Sequence, residues 1–365
     1  MTIQYPVYKP YLNGNEKIYV NQCLDSSWIS SQGEFIERFE QAFAEYIGMP
    51  YALSCTNGTV ALHLALLTLG ITHGDEVILP ALTYVAGANA VHYVGATPIF
   101  IDSEPEFFQM DVNKVEAKIT SKTKAIIAVH LYGHVCEMDK LTTLAKKYNL
   151  YLIEDCAEAI GSQYHDQKAG TFGDIATFSF FGNKTITTGE GGMVMTKNKA
   201  LAKKVFKLKG QGVSAHTKYL HDIVGYNYRM TNICCAIGLA QLENIELILN
   251  QKSKIANWYQ SALGDYEAIC FHPQKEGTLH TYWLVSILLK NKIQRDGVMA
   301  YLLAHGIDSR PFFVPMHKLP IYKSNLSLPI AENLSERGLN LPSYPALTES
   351  DVKHISLKIR EFSSL

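Results

Sequence analysis

The chain reads Thr177-Phe-Ser-Phe-Phe-Gly-Asn-Lys184-Thr-Ile-Thr-Thr-Gly-Glu-Gly-Gly192 at its most informative point. This stretch predicts a lysine in a short bend, because an apolar strand precedes Lys184 and a second apolar strand, Gly192–Thr196, follows it. Backbone that is held on both sides should aim Lys184 into the protein, where burial favours the neutral amine over the ammonium. A neutral lysine amine is what forms a Schiff base with an aldehyde.

Such a lysine indicates pyridoxal 5'-phosphate (PLP), an aldehyde that also requires an acidic partner for its pyridine nitrogen and a cradle for its phosphate. Residues 150–159, Leu-Tyr-Leu-Ile-Glu-Asp-Cys-Ala-Glu-Ala, read as a short buried strand that ends in carboxylates. Open α/β sheets bind ligands at the carboxyl ends of such strands, where Asp155 would keep the pyridine nitrogen protonated. Alternatively, Glu154 and Asp155 only cap the strand or pair with a lysine.

A helix start elsewhere in the chain supplies the candidate phosphate cradle. Asn57-Gly58-Thr59 forms an N-cap signature, and a helical apolar stripe follows it as far as Gly70. A helix N-terminus binds phosphate through its free N–H groups and the positive end of its dipole. Gly58 would allow close approach, Thr59 would add an N–H group, and Ser179 could add a hydroxyl. The alternative is an ordinary capped core helix.

Other classes of site are less well supported by the sequence. Phe178 stands where the first glycine of a Walker loop would belong, and no Gly-x-Gly-x-x-Gly motif opens a helix to bind a nicotinamide cofactor. His130, His134 and Cys136 have a spacing that a metal site could use, but Gly133 would break any helix between them. We interpret this segment as a loop and expect no metal.

Composition narrows the remaining possibilities. The 365 residues are 47% hydrophobic, which is enough for one large domain and one smaller domain. A net charge of -1 with no basic run argues against a nucleic-acid partner. The seven cysteines form no Cys-x-x-Cys pair and are interpreted as free thiols in a reducing compartment. We expect a cytoplasmic protein without a membrane partner, since neither a signal peptide nor a long apolar run is visible.

The order of the predicted elements indicates an α/β fold. From about residue 35 to 230, apolar strands alternate with helical patterns, which predicts a mostly parallel central sheet flanked by helices. A long helical pattern that begins near Met230 leads into a smaller α+β domain, with strands predicted at 280–288 and 307–313. We therefore divide the chain into a large PLP-binding domain with an N-terminal arm, 1–245, and a small C-terminal domain, 246–365.

Taken together, these segments resemble the DegT/DnrJ/EryC1/StrS family of PLP-dependent nucleotide-sugar aminotransferases. The motifs that carry the resemblance lie at residues 28–33, 57–59, 80–84, 130–133, 154–159, 170–174, 179–184, 189–192 and 226–231. The resemblance covers nearly the whole chain. It implies a fold-type I PLP aminotransferase that forms a homodimer or higher homo-oligomer with active sites shared between subunits.

The resemblance also implies individual site residues. Lys184 matches the Schiff-base lysine and Asp155 matches the pyridine partner, so these two are the candidate catalytic residues. The other matches are Tyr84 and Ala157 on the two faces of the ring, Gly58, Thr59 and Ser179 in the phosphate cradle, and Asn227, which reaches the phosphate of the neighbouring subunit. Tyr84 could instead be a core aromatic residue.

The activity that the resemblance implies is transfer of an amino group from L-glutamate to a nucleotide sugar for surface polysaccharide (O-antigen) synthesis. The subgroup likeness favours C4 of a GDP-linked 4-keto-6-deoxyhexose, with dTDP- and UDP-linked sugars as alternatives. The candidate substrate-binding residues are Trp28, Glu158, Arg229, Phe312 and His317, each of which could equally be structural. A related sugar dehydratase carries histidine at the lysine position, and a binding protein without enzymatic activity would be expected to lack Lys184 or Asp155.

Overall fold

A computed structural model of the chain describes residues 2–214, 216–217 and 219–362. Its strands, numbered in chain order, are β1 Tyr51–Cys55, β2 Glu76–Pro80, β3 Thr97–Ile101, β4 Thr123–Val129, β5 Tyr151–Asp155, β6 Gln163–Tyr164, β7 Gln167–Lys168, β8 Ile175–Ser179, β9 Gly192–Thr196, β10 Cys270–Phe271, β11 Thr278–Leu279, β12 Val285–Leu288, β13 Arg310–Pro311 and β14 Gly338–Leu341. Its α-helices are α1 Glu16–Asp25, α2 Glu34–Ile47, α3 Gly58–Leu69, α4 Ala86–Tyr93, α5 Met138–Tyr148, α6 Lys199–Lys209, α7 Asn232–Glu243, α8 Ile245–Leu263, α9 Lys292–Ala304, α10 Pro329–Arg337 and α11 Glu349–Glu361.

The central sheet has seven strands in the order β1-β9-β8-β5-β4-β2-β3. The strands β8, β5, β4, β2 and β3 run parallel to one another, whereas β9 runs antiparallel to both of its neighbours. Every residue of β8 and β9 is buried, as expected for strands that are covered on both faces. The prediction of an α/β fold with a mostly parallel sheet is confirmed.

Helix α2 supports the strand that leads to Lys184. Its buried positions recur every four residues and form one apolar face: Phe35, Phe39, Phe43 and Ile47. The ring of Phe39 lies edge-on to Phe180, with the centroids 5.2 Å apart. The ring of Phe43 lies edge-on to Phe178, with the centroids 5.0 Å apart. These aromatic contacts hold the end of β8 in place immediately before the lysine bend.

The C-terminal part of the chain forms a second sheet, in the order β10-β12-β14-β13, with α8, α9 and α11 packed around a core of its own. Tyr5 from the N-terminal arm joins this core, and its N–H group donates to the Gly306 carbonyl at 3.1 Å. Asn244 separates α7 from α8, and these two helices meet at an angle of 63°. A boundary at 245 therefore falls at a helix break, and the division into domains 1–245 and 246–365 stays a proposal.

The two strands predicted in the C-terminal part are shorter than expected. Of residues 280–288 only β12 continues the sheet, and of residues 307–313 only β13 does. The first segment leaves the ladder because the Thr281 N–H group donates to the Gly133 carbonyl at 3.2 Å and Tyr282 has a positive φ of 49°. This bond and the positive φ turn the chain towards the carboxyl ends of the central strands.

Two expectations from composition concern membranes and thiols. Among the described residues, no single helix is both long and apolar enough to cross a membrane, although the bent pair α7 and α8 would pass by length and composition alone. All seven cysteines lie in the described part of the chain, and each is a free thiol. The prediction of unpaired cysteines is confirmed.

Candidate active site

A cavity of about 830 Å³ lies at the carboxyl ends of the parallel strands. Eight residues that the sequence predicted for the site line it: Gly58, Thr59, Tyr84, Asp155, Ala157, Glu158, Ser179 and Lys184. Trp283, Arg310 and Phe313 close it from the C-terminal part of the chain. The fold therefore brings together side chains that are more than two hundred residues apart, at the edge of the sheet where α/β proteins bind ligands.

Lys184 lies in the predicted bend between β8 and β9. Its own N–H group donates to the Phe181 carbonyl at 2.9 Å. The carbonyl of the preceding residue, Asn183, accepts a hydrogen bond from Trp283 Nε1 at 2.7 Å. The peptide group between Asn183 and Lys184 is thus held at both its carbonyl and its N–H group, and the lysine side chain, 13% exposed, reaches into the cavity.

The amine of Lys184 lies beside a carboxylate and an aromatic ring. Its Nζ atom is 3.6 Å from Glu158 Oε1 and 4.0 Å from the centroid of the Trp283 ring. A carboxylate and the face of an indole both attract an ammonium. The sequence-based expectation considered only burial, which favours the neutral amine, and did not include these two neighbours.

Glu154 and Asp155 are adjacent in β5 but face opposite sides, as the alternation of a strand requires. The Glu154 carboxylate accepts hydrogen bonds from His130 Nε2 at 3.1 Å and from three backbone N–H groups in the loop 170–173. This residue therefore has the structural role that was the alternative for the acidic pair. Asp155 instead faces the cavity.

The Asp155 carboxylate is buried next to the amine that the site presents. It accepts one hydrogen bond, from the Ala157 N–H group at 3.1 Å. Burial raises the pKa of the Asp155 carboxyl, and the Ala157 N–H group and the charges of Lys184 and His130 oppose that shift. A carboxylate whose charge is disfavoured by burial is stabilised by a cation beside it, and a protonated pyridine nitrogen would supply that cation.

His130, Glu154 and Cys156 also bring a nitrogen, an oxygen and a sulfur atom within 4.8 Å of one another, which is a spacing that a metal could use. Both ring nitrogens of His130 are already engaged, Nε2 with Glu154 and Nδ1 with the Cys136 N–H group at 3.2 Å. Together with the backbone bonds to Glu154, this arrangement is a hydrogen-bonded scaffold beneath the end of β5.

The N-terminus of α3 lies at the cavity, where the sequence predicts the anion cradle. The Asn57 side chain caps the helix by accepting from the Val60 N–H group at 2.9 Å. A Cβ atom on Gly58 would lie only 2.7 Å from Ser179 Cβ, so glycine is needed to bring the helix beside the serine. The geometry combines a helix N-terminus, a close backbone approach and a hydroxyl, which suits a phosphate group.

Tyr84 is not a core residue. Its side chain is 58% exposed at the cavity, and its ring centroid lies 5.7 Å from that of Phe313. Ala157 lines the same cavity beside Asp155. An exposed aromatic face and a small apolar residue in one cavity suit a flat ring held between them.

Glu158 is the one substrate-side candidate that lines the cavity. Its Oε2 atom accepts from the Tyr132 N–H group at 2.8 Å, and its Oε1 atom faces Lys184. Burial raises the pKa of the Glu158 carboxyl to about 7, although the charge of Lys184 and the Tyr132 N–H group oppose the shift. Near neutral pH this side chain is therefore able to accept or donate a hydrogen bond.

Five predicted residues lie outside the cavity that one chain forms, and three of these are at least partly exposed: Trp28, Asn227 and Arg229. Trp28 is 54% exposed, and Asn227 is exposed beside Arg229, whose Nη2 atom lies 3.5 Å from Asn227 Oδ1. Within the described residues, the Nε atom of Arg229 is buried and has no hydrogen-bond partner. Within one chain, these three residues therefore do not contribute to the cavity.

Phe312 and His317 are placed in the interior, contrary to the expectation that they line the site. Phe312 is 2% exposed and packs against the Tyr132 ring at 4.7 Å between centroids. The His317 ring is fully buried and pairs with Glu332 at 2.9 Å. Phe313 lines the cavity instead, because neighbouring residues in an extended segment point to opposite sides.

Trp283 is the contact with Lys184 that sequence reasoning missed. It follows Lys184 by about a hundred residues and sits in a segment that reads as an ordinary apolar strand. Only the departure of residues 280–283 from the sheet carries its indole to the cavity. The sequence signal that could have pointed to it is the aromatic cluster Tyr282-Trp283 at the start of a strand.

The residues present fit PLP. The gap kept open by Gly58 suits its phosphate, the buried Asp155 carboxylate suits its pyridine nitrogen, and the Lys184 amine suits its aldehyde. Because these three groups converge on one cavity, the chemistry that the sequence indicated is compatible with the geometry.

Comparisons with known proteins agree with this arrangement. The family model described as the DegT/DnrJ/EryC1/StrS aminotransferase family matches residues 10–360. A protein named GDP-perosamine synthase from Escherichia coli O157:H7 is 54% identical over 360 residues, which are 98% of each chain. The solved structure of the aminotransferase TlmJ from Streptoalloteichus hindustanus has a TM-score of 0.94 at 28% identity and covers 99% of both chains.

The PLP form of Spr1654 from Streptococcus pneumoniae is also similar, with a TM-score of 0.93, 29% identity and 98% of both chains covered. The predictions of an aminotransferase, of a PLP aminotransferase fold and of PLP as the cofactor are confirmed. The chain belongs to the DegT/DnrJ/EryC1/StrS aminotransferase family and uses PLP as its cofactor.

Proposed function

We propose that the chain transfers the amino group of L-glutamate to C4 of GDP-4-keto-6-deoxy-D-mannose and so makes GDP-perosamine for surface polysaccharide (O-antigen) synthesis. The observation that carries the substrate assignment is the 54% identity with a GDP-perosamine synthase over nearly all of both chains. The observation that supports amino transfer is the convergence of Lys184 and Asp155 on one cavity. The free cysteines agree with a cytoplasmic, reducing location, which we also propose.

PLP, when bound, supplies an aldehyde for covalent attachment and a ring that accepts electrons. In our proposal Lys184 would hold the cofactor through its Nζ atom, and the same atom, when free, would carry a proton to and from C4 of the sugar. Asp155 holds the pyridine nitrogen in its charged form. The phosphate cradle consists of Gly58, Thr59 and Ser179, while Tyr84 and Ala157 keep the ring in one plane.

Glu158 would act on the substrate side of Lys184. Its carboxyl group has a pKa of about 7 and lies 3.6 Å from the lysine amine. A protonated Glu158 donates a hydrogen bond to an oxygen of the hexose, whereas its carboxylate accepts one from a hydroxyl group. This position would orient the sugar so that C4 faces Lys184.

We also propose that a second copy of the chain completes each site. Asn227 and Arg229 lie outside the cavity of their own chain, and the buried Arg229 Nε atom lacks a partner among the described residues. The segment between α6 and Arg229 also exposes apolar side chains, including Val224 at 86% and Leu220 at 49%. A surface of this kind is typical of one that another protein covers. Asn227 would then reach the phosphate of the partner's cofactor, and Arg229 or Trp28 the nucleotide sugar.

Mixing two defective homodimers tests the shared site. A mixed dimer of Lys184→Ala and Asn227→Ala subunits contains one site with both native residues and one with both defects. We expect activity to reappear when the two variants exchange subunits, and assays of mixed and unmixed samples measure it. An active monomer by light scattering, or no recovery after exchange has been demonstrated by mass spectrometry, would exclude a shared site.

The preference for the nucleotide tests the substrate assignment. We expect kcat/KM for the GDP-linked sugar to exceed that for its dTDP counterpart by roughly a hundredfold, near 2.7 kcal/mol of differential transition-state binding. Steady-state kinetics with GDP-, dTDP- and UDP-linked 4-keto-6-deoxy sugars measure the ratio. Equal or reversed ratios would remove the GDP assignment while leaving the aminotransferase in place.

A PLP-dependent sugar dehydratase remains the second candidate on the same fold. Lys184 argues against it, since the related dehydratase has histidine at that position. Product analysis separates the two reactions, because a dehydratase does not incorporate the nitrogen of the donor into the sugar.

A further inference from the structure

We propose that Trp283 is a positioning residue for Lys184: its indole N–H group anchors the lysine bend, and its ring face receives the amine whenever Lys184 is not attached to the cofactor. This inference rests on the proposed role of Lys184. It adds a residue from the C-terminal part of the chain to a site whose predicted members come mainly from the central sheet.

Two contacts connect Trp283 to the bend. The Nε1–H group donates to the carbonyl of Asn183, the residue directly before Lys184, at 2.7 Å. The ring centroid lies 4.0 Å from Lys184 Nζ, which is within the range of a cation–π interaction. One contact fixes the backbone from which the lysine projects, and the other fixes the end of its side chain.

Contacts with other residues also hold the indole of Trp283 in place. Trp283 is 3% exposed, and its ring stacks on Tyr132 at 6.3 Å between centroids and an angle of 16°. Its carbonyl accepts from Lys252 Nζ at 3.0 Å, and the same nitrogen donates to the Ser343 carbonyl at 3.0 Å. Because Lys252 is buried, these bonds are shielded from solvent, and the indole is a rigid surface for Lys184.

The close approach between Trp283 and the central sheet also depends on Gly133. This glycine has a positive φ of 100°, and a Cβ atom there would lie 2.9 Å from the Trp283 backbone nitrogen. A side chain at this position would push the tryptophan segment away from the cavity. The sequence therefore keeps room for the indole beside the lysine.

The two neighbours of the Lys184 amine differ in how they respond to pH. Glu158 attracts the ammonium only while its carboxyl is ionised, and its pKa is about 7. The Trp283 ring does not titrate and attracts the ammonium throughout the working range. A third neighbour, the Asp155 carboxyl, also attracts the ammonium when it is ionised, and burial raises its pKa. The ring is therefore the neighbour whose attraction does not change with pH, and it holds the unattached amine next to the reacting atoms.

Chemical labelling of the free lysine tests the ring contact. The enzyme in its pyridoxamine phosphate form leaves Lys184 unattached, and a trace of acetic anhydride acetylates only neutral amines. At neutral pH we expect acetic anhydride to acetylate Lys184 about threefold to thirtyfold faster in Trp283→Leu than in wild type, because the ammonium has lost a cation–π partner. Peptide mass spectrometry measures Lys184 relative to the exposed lysines of the same sample, and Trp258→Phe is the matched control.

Two internal controls separate the possible causes. Well above the ordinary pKa of lysine amines, about 10.4, no ammonium is left for the ring to attract, so the ratio of rates should approach one. A ratio that stays high would mean only that Trp283→Leu opened the cavity, and would overturn the ring contact. In the PLP form, attachment should protect Lys184 from acetylation. Loss of that protection would contradict the proposed role of Lys184, whereas protection without any effect of Trp283→Leu would contradict the role of Trp283 alone.

Trp283→Phe tests the anchor and keeps the inference testable if the leucine variant does not fold. Phenylalanine retains a ring face but has no N–H group for the Asn183 carbonyl. We expect faster amide hydrogen exchange in residues 181–186 and a lower kcat with an unchanged KM for the sugar. Exchange and kcat equal to those of the Trp258→Phe control would overturn the proposal.

Discussion

Lys184→Ala is expected to abolish transamination while leaving the protein folded. The substitution removes both the covalent anchor of the cofactor and the group that moves the proton, and loss of the latter alone typically slows a reaction by about a hundredfold to ten-thousandfold. The bend itself should persist, because its hydrogen bonds to the Phe181 carbonyl and from Trp283 Nε1 involve backbone atoms of the bend. Enzyme assays measure the activity and circular dichroism measures the fold, while visible absorbance reports whether the cofactor is still covalently attached.

The matched control is Lys203→Ala, which removes an exposed lysine of α6 and should retain full activity and colour. Reduction of the wild-type enzyme with borohydride should fix the cofactor to one peptide, and mass spectrometry should locate it at Lys184. A Lys184→Ala enzyme with wild-type turnover, or a cofactor fixed to another lysine, would contradict the assignment.

Asp155→Asn is expected to retain some PLP and to lose most turnover. An amide cannot hold the charge of a protonated pyridine nitrogen, so the ring withdraws fewer electrons from the reacting carbon. Loss of a charge-assisted hydrogen bond at the reacting ring should remove about 3 kcal/mol of transition-state stabilisation, which lowers kcat roughly a hundredfold. Turnover within a few-fold of wild type would show that Asp155 is not the pyridine partner.

The neighbouring Glu154→Gln variant gives the contrast that makes this test specific. Burial raises the pKa of Asp155, which means that the folded protein disfavours its charge. The Asp155→Asn substitution should therefore leave the unfolding free energy of the cofactor-free protein unchanged or raise it. The Glu154 carboxylate accepts hydrogen bonds from His130 and from three backbone N–H groups, so the Glu154→Gln substitution should lower the melting temperature. Equal melting temperatures for the two variants would contradict the separate roles of the two carboxylates.

Local sequence patterns were sufficient to predict that Lys184, Asp155 and Gly58 lie together at one cavity. In each case a strand end or a helix start fixes the direction of the functional group, so a few neighbouring residues decide its position. The parallel sheet was predictable for the same reason, since its strands are short, apolar and separated by helical patterns.

Residues whose positions depend on distant contacts were not predictable in this way. The choice between Phe312 and Phe313 depends on which side of an extended segment faces the cavity. The local sequence, which has prolines at 311 and 315 and no regular alternation of apolar and polar residues, does not reveal that side. Trp283 reaches Lys184 only because residues 280–283 leave the sheet. Asn227 and Arg229 lie outside the cavity of one chain, so their proposed role depends on a second copy.

The position of the transferred nitrogen tests the central claim most directly. The purified enzyme would be incubated with ¹⁵N-labelled L-glutamate and GDP-4-keto-6-deoxy-D-mannose, and the product would be analysed by mass spectrometry and NMR. We predict a GDP-linked product in which the label is bonded to C4 of the hexose, as in GDP-perosamine. Label at C3, or a deoxygenated product without label, would contradict the proposed reaction.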